Sequence, residues 1–243
     1  MAVRLVPPPS GGLFRVGRPG RPFNWEVRQE PLPDSDRPVL NGRRWDDPNG
    51  EYPTLYCGTD RQTVFAETIA QFRLRPGLRD RILRETDEDA PDPDYDFDEP
   101  EGRVPPGYFG RALGHVLVED DARFVDVDDV ETHNELNASF GELLVELATA
   151  SQYDRGVMLG QDRRLTRRVA GFLHEHHGDE ALGIRYESRL MSDLECFALW
   201  PQARVAIYDI DVEPISPETP ALVNVAERLE LMLPALDEIS RSG

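Results

Sequence analysis

GRRWDDPNGEYPTLYCGTDRQTVFAETIAQF, residues 42–72, contains a loop, a strand and a helix in direct succession, and the rest of the chain can be arranged around them. Residues 54–58 predict a short buried strand, bounded by a proline and a glycine. The apolar positions that follow have helical spacing: Phe65, Ile69 and Phe72. They predict a helix over roughly 60–73. Thr59 and Gln62 fit a capping box at its start.

Each of the three elements carries one side chain with distinct chemistry: Arg44 on the loop, Tyr56 on the strand and Glu67 on the helix. A guanidinium pairs with phosphate, an aromatic ring stacks on a planar base, and a carboxylate stabilises the positive sugar that forms as a base departs. Together they suit the binding of a nicotinamide dinucleotide and cleavage of its glycosidic bond. Arg43 is a rival for the cationic role. Two of these residues also have an explanation without a function. Glu67 points away from the apolar helix face and could be a surface residue, and Tyr56 could be an ordinary core residue.

The composition restricts the partners of this chain. It has 243 residues with 46 acidic and 27 basic side chains, a net charge of −19. Such a surface repels nucleic acid and anionic membranes, and it favours a basic protein partner. Cys57 and Cys196 form neither a metal-ligand pair nor a disulfide framework, which favours the cytoplasm. We find no signal peptide and no segment of membrane-spanning length, so we expect no membrane association.

The remaining segments predict short strands mixed with helices. We expect residues 1–12 to be a loose tail. Further strands are expected at 13–16, 112–117, 123–127, 183–188, 196–200 and 204–209. Helices are expected at 134–150 and 163–177, and at 220–239 with an interruption or kink at Pro234. This pattern predicts an α+β fold, because it lacks the regular alternation of a doubly wound sheet.

The acidic stretch 85–102 and the C-terminal helix stand apart from this core. ETDEDAPDPDYDFDEPEG, residues 85–102, predicts an exposed or disordered loop, with an acidic cradle for a cation or basic partner as the alternative. The C-terminal helix is amphipathic, so it packs on its own core or forms a partner or homodimer contact.

Two further groups of residues are candidates for chemistry. Ser188, at the end of a predicted strand and flanked by Arg185 and Arg189, fits a phosphate or ribose ligand or an ordinary strand-end serine. The HEHH sequence at 174–177 does not have the spacing of a zinc motif and is typical of a helix C-terminus. No glycine-rich phosphate loop of the Rossmann or P-loop type is present in the sequence.

In combination these pieces resemble the RES domain family, named for its Arg, Glu and Ser, the toxin half of RES–Xre toxin–antitoxin pairs. The matching segments are LFRVGR at 13–18, GRRW at 42–45, LYCGTDRQTVFAET at 55–68, and GIRYES at 183–188 with the CFALW that follows. They span about 13–200. The resemblance implies an ADP-ribosyltransferase-like split β-core with flanking helices, with a catalytic domain at 13–210 and a C-terminal linker and helix at 211–243.

The resemblance also implies a function and roles for individual residues. Family members destroy NAD, so NAD would be the substrate and no metal would be required. By motif, Glu67 matches the catalytic glutamate, Arg44 the motif arginine and Tyr56 the nicotinamide-stacking tyrosine. Ser188 matches the motif serine, and Arg15 falls in the early aromatic-Arg segment. The implied partner is an Xre-type helix-turn-helix antitoxin.

One position departs from the family pattern: Asp46 stands where an asparagine is usual after the motif aromatic. Two other functions remain open from sequence. The chain could transfer ADP-ribose to a protein, or it could be a catalytically silent interaction module.

Overall fold

The computed structural model describes residues 2–25, 31–33, 39, 42–73, 102–146, 152–160 and 162–242. The acidic stretch predicted to be an exposed loop lies outside the described residues, except for Gly102 at its end. Within the described residues, none of the helices combines the length and the apolar character that crossing a membrane requires.

Eight strands form one mixed, curled sheet in the order β1-β5-β6-β7-β3-β2-β4-β8. All neighbouring strands are antiparallel except β5 and β6, which are parallel. The strands are β1 (Leu5–Val6), β2 (Leu13–Gly17), β3 (Leu55–Gly58), β4 (Ala112–Val118), β5 (Phe124–Asp126), β6 (Gly183–Glu187), β7 (Glu195–Leu199) and β8 (Ile207–Pro214). The expected α+β class is therefore confirmed.

Two groups of helices cover the same face of this sheet. The helices are α1 (Arg61–Ile69), α2 (Val130–Glu146), α3 (Arg155–Leu159), α4 (Arg163–His177), α5 (Pro220–Arg228) and α6 (Leu236–Ser242). Helices α1 and α5 pack over β2 and β4 in one apolar cluster, and α2 and α4 pack over β5, β6 and β7 in a second. Strand alternation places both clusters on one face, because Phe14 pairs with Gly58, and Tyr56 pairs with Ala198. A third cluster lies on the opposite face.

The turn from β3 into α1 brings the helix close to the strand. An added Cβ at Gly58 would lie 2.5 Å from the Thr63 side chain, so glycine permits this approach. The predicted capping box is wrong: Asp60 is the N-cap, and its carboxylate accepts a hydrogen bond from the Thr63 backbone N–H at 2.8 Å. The Thr59 hydroxyl instead donates to the Glu195 carbonyl at 3.5 Å.

Several element boundaries differ from the sequence prediction. The tail expected to be loose contributes β1, which pairs with β5. The predicted strand at 204–209 begins later, at Ile207, because a 3₁₀ turn occupies Pro201–Val205. Helix α2 begins four residues before the predicted start. Strands β2 to β7 and helix α4 lie where the sequence predicted them.

The C-terminal segment is part of the same core. Strand β8 crosses the domain boundary expected at residue 210, and α5 packs against α1. The predicted interruption at Pro234 falls earlier, because Glu230 has a φ of 57°, which a continuous helix does not allow. The segment after 210 is therefore not a separate linker.

We expect Asp60→Ala to lower the free energy of unfolding by about 1–2 kcal/mol, because the first turn of α1 loses its capping acceptor. Thr59→Ala is the matched control, with an expected loss of a few tenths of a kcal/mol, since its hydroxyl makes only a marginal hydrogen bond. Urea denaturation measures both. An equal or larger loss in the threonine variant would restore the predicted capping box.

Candidate active site

A cavity of about 390 Å³ opens between the two helical groups. Its lining comes from the 42–44 loop, strands β2, β3 and β6, helix α1 with the 3₁₀ turn that follows it, the first residue of α4, and single residues just before β4 and just after β6. The polar and aromatic lining residues include Arg15, Arg43, Arg44, Tyr56, Thr63, Glu67, Thr68, Gln71, Arg111, Arg163, Tyr186, Glu187 and Arg189. Six arginines and two glutamates thus face one space in a chain of net charge −19.

Four of the five residues predicted for the site line this cavity: Arg15, Arg44, Tyr56 and Glu67. The fifth, Ser188, is only 2% exposed and lies behind Glu67. The structure thus brings together residues from three separate parts of the chain: β2, the 42–72 stretch and the end of β6. Their roles in binding and catalysis stay predictions.

Glu67 and Ser188 form a directed hydrogen bond. Ser188 Oγ donates to Glu67 Oε1 at 2.5 Å, and the same Oγ accepts from the Leu190 backbone N–H at 3.0 Å. The serine hydroxyl therefore donates its proton to the carboxylate. This hydrogen bond orients the Glu67 carboxylate at the cavity wall, and the Glu67 side chain stays exposed. The Cys196 thiol lies 3.9 Å from the same oxygen. Ser188 thus fixes the orientation of the Glu67 carboxylate, and its own burial leaves it little surface.

Tyr56 holds the 42–46 loop against the sheet. Its hydroxyl donates to Asp46 Oδ1 at 2.9 Å and accepts from the Trp45 backbone N–H at 2.8 Å. Burial, reinforced by the Asp46 charge, raises the pKa of Tyr56 well above its usual value, so the phenol stays protonated. The Arg43 guanidinium lies over the ring, 5.0 Å from its centroid. Asp46 is thus an anchor for Tyr56, the predicted stacking residue.

The two neighbouring arginines of the loop have different environments. Arg44 donates to the carbonyl oxygens of Gly160 at 3.2 Å and Leu159 at 3.4 Å, at the end of α3. Burial, together with the positive charges of Arg163 and Arg189, lowers the pKa of Arg44 to about 10. Arg43 is exposed and rests on Tyr56. Both line the cavity, so its wall includes two cations of this loop.

Arg15 connects two backbone segments beneath the cavity. Its Nε donates to the Pro22 carbonyl and its Nη1 to the Tyr56 carbonyl, both at 2.8 Å. Burial lowers the pKa of Arg15. These hydrogen bonds give Arg15 a structural role: they join the backbone at Pro22 to strand β3 beside the cavity.

Sequence reasoning missed several lining residues. Arg163 begins α4, Arg111 precedes β4, and Tyr186 lies on β6 two residues before Ser188. The sequence indicates Arg189 only as a neighbour of that serine. A basic residue at a helix start or a tyrosine in a strand gives no sequence signal of this kind, because only the tertiary fold brings them to one cavity.

Two of the three histidines at 174–177 pack against the protein, and His176 is exposed. His174 lies against Tyr52 with ring centroids 4.0 Å apart and ring planes tilted by 31°, and His177 is buried at the end of α4. Among the described residues, no cluster of three or more His, Cys, Asp or Glu is placed to hold a metal ion.

The sheet and the cavity define an α+β protein in which a hydrogen-bonded carboxylate faces a group of arginines. The sequence profile of the RES domain matches residues 13–222, most of the chain. The chain therefore belongs to the RES domain family, whose fold is ADP-ribosyltransferase-like and which is known in toxin–antitoxin systems. No curated protein and no solved structure gives a significant match to it.

We expect Tyr56→Phe to lower the free energy of unfolding by about 1–3 kcal/mol, because the buried Trp45 N–H loses its acceptor and Asp46 loses a donor. Urea denaturation with an unchanged m-value measures this loss. Tyr208→Phe is the matched control: this tyrosine is 45% exposed on an edge strand, and a change within about 0.5 kcal/mol is expected. Equal stabilities of the two variants would refute the anchoring role of the Tyr56 hydroxyl.

Proposed function

We propose that this protein cleaves the bond between nicotinamide and ribose in NAD. The observation that carries the proposal is the Glu67 carboxylate, held by Ser188 at the wall of an arginine-lined cavity. Membership of an NAD-related family supports the choice of substrate.

The electrostatics of the cavity favour an anionic ligand. Six arginines face two glutamates there, while the whole chain carries an excess of acidic groups. A cleft lined by cations in an acidic protein concentrates positive electrostatic potential at one place, and this potential attracts a diphosphate. In the proposed complex Arg44 neutralises part of the NAD diphosphate charge.

In the proposed reaction the C1′–N bond of the nicotinamide ribose breaks, and its electron pair leaves with the nicotinamide nitrogen. The pyridinium thereby becomes a neutral base, and positive charge develops on the ribose ring. Glu67 stabilises that charge electrostatically, because it is fixed in place before the reaction begins. A water oxygen then bonds to C1′ and releases a proton to solvent, giving ADP-ribose; inorganic phosphate is the alternative nucleophile.

Two aromatic rings of the cavity are available to the nicotinamide. Tyr56 was predicted to stack on it, and in the proposed complex Arg43 moves off that ring to expose its face. Tyr186 supplies a second ring on the neighbouring part of the wall. Because the Tyr56 hydroxyl is held by the loop, its ring is the better fixed of the two.

We further propose an antitoxin partner of the Xre-type helix-turn-helix class. The family's occurrence in toxin–antitoxin systems supports a partner, and the net charge of −19 favours one with a basic surface. Such a partner would protect the host cell from loss of NAD.

We expect Glu67→Gln to lower the rate of NAD cleavage by about 100-fold or more, since the amide keeps the shape and removes the charge. NAD consumption by the purified proteins measures the loss, with products separated by chromatography. Glu227→Gln, an exposed glutamate on α5 outside the cavity lining, is the matched control and should retain full activity.

The products separate the remaining alternatives. ADP-ribose indicates hydrolysis, a phosphorylated ADP-ribose formed only with added phosphate indicates phosphorolysis, and a labelled protein indicates ADP-ribosyl transfer. Unchanged NAD cleavage in the Glu67 variant, or no cleavage by the wild-type protein, would overturn the proposal.

We expect Ser188→Ala to lower kcat about tenfold with little change in KM, because the carboxylate loses the hydrogen bond that orients it. Steady-state kinetics with NAD measures both constants. A raised KM with an unchanged kcat would instead indicate that Ser188 binds NAD directly, as the sequence first suggested.

A further inference from the structure

Three cavity arginines come from separate segments and converge at one place. Arg44 lies on the loop before β3, Arg163 is the first residue of α4, and Arg189 comes shortly after the end of β6. We refer to Arg44, Arg163 and Arg189 as the arginine triad. We propose that the arginine triad is an anion site that binds the diphosphate of a dinucleotide beside Glu67. Only the identity of the ligand rests on the proposed function.

The hydrogen bonds of the arginine triad show how closely two of its members meet. Arg44 Nη1 and Arg163 Nη1 donate to the same carbonyl oxygen, that of Gly160, at 3.2 and 3.1 Å. A neutral carbonyl balances neither of these positive charges. The Nε–H of Arg163 is buried and has no hydrogen-bond partner. The place where Arg44 and Arg163 meet therefore holds two positive charges and one N–H donor without an acceptor.

Charge makes this arrangement unusual for an acidic protein. Among the described residues, none of the arginine triad forms an ion pair within 4 Å, although the chain has 46 acidic residues. Arg185, by contrast, pairs with Asp126, Asp128 and Glu195. Burial and the neighbouring arginine charges lower the pKa of Arg44 to about 10, and burial and Arg189 lower that of Arg163. Mutual repulsion of this kind is relieved when an anion binds.

The geometry points to a diphosphate as the anion. Guanidinium groups bind phosphoryl oxygens in pairs, so three groups from different directions match two linked phosphoryl groups better than one. Glu67 and the arginine triad line the same cavity, so the anion site lies beside the carboxylate that would face the ribose. In NAD the diphosphate is attached to that ribose, so one ligand can occupy both positions.

The test measures binding of inorganic pyrophosphate by calorimetry, with orthophosphate in a parallel titration. We expect the wild-type protein to bind pyrophosphate more tightly than orthophosphate, with an affinity that falls as salt is added. Arg163→Gln and Arg189→Gln should each weaken pyrophosphate binding about tenfold or more. Arg168→Gln, an exposed arginine on the same helix outside the cavity lining, is the matched control and should bind as the wild type does.

Thermal unfolding provides a second measurement that a purely structural role would not reproduce. Without ligand, Arg189→Gln should melt no lower than the wild type, because a repelling charge is removed and no described hydrogen bond is lost. With pyrophosphate, the wild type should gain more stability than this variant. A lower melting temperature without ligand and an equal gain with it would contradict the proposal.

The outcome is independent of NAD cleavage. If pyrophosphate binds and the variants weaken it while NAD is left intact, the anion site stands and the proposed function fails. If NAD is cleaved but pyrophosphate does not bind, or binds equally to all variants, the arginine triad is not an anion site.

Discussion

The register of β3, β7 and β6 is the constraint on which the site depends. Strands β3 and β6 both pair antiparallel with β7, so they run parallel to each other and end at the same edge of the sheet. Gly58, at the end of β3, pairs with Cys196, which in turn pairs with Tyr186 near the end of β6. Helix α1 therefore starts beside the end of β6. This is why Glu67 and Ser188, 121 residues apart, form a hydrogen bond. A shift of one residue in either pairing would turn the side chains to the opposite face.

Electrostatics divides the arginines of this protein into two kinds. Arg185 is balanced by three carboxylates, and against the effect of burial the Glu195 hydrogen bond and the two aspartates raise its pKa. Arg44 has neutral carbonyl oxygens as its described hydrogen-bond partners. Burial and the neighbouring arginine charges lower its pKa. The first arrangement stabilises the junction of β5, β6 and β7. The second places cations without a carboxylate ion pair around one cavity, a cost in folding that an anion bound at the proposed site would offset.

Local patterns in the sequence predicted the elements better than they predicted the site. The sequence predicted α4 at its observed bounds. The short run before Gly58 and the helical spacing of Phe65 and Ile69 predicted β3 and α1, the elements that carry the tyrosine and glutamate of the site. The cap of α1 was misplaced by one residue because Thr59 and Asp60 both fit a capping pattern, and only the hydrogen bond distinguishes them. Arg163 and Tyr186 were missed for a different reason. Their chemistry arises from contacts between distant segments, which a single sequence does not encode as a motif.

The contact between Arg43 and Tyr56 bears on how a ligand would enter and leave. The ring is fixed by its hydroxyl, whereas Arg43 is exposed, so the guanidinium is the partner that moves. Guanidinium and the nicotinamide ring of NAD are both planar cations, and either gains about 0.5–1 kcal/mol over an aromatic face. Replacing one by the other on Tyr56 is therefore nearly balanced in energy. Cleavage of the proposed substrate turns the bound ring into a neutral base. In the proposed complex its attraction to Tyr56 would weaken at that moment, and the return of Arg43 to the ring would displace the nicotinamide.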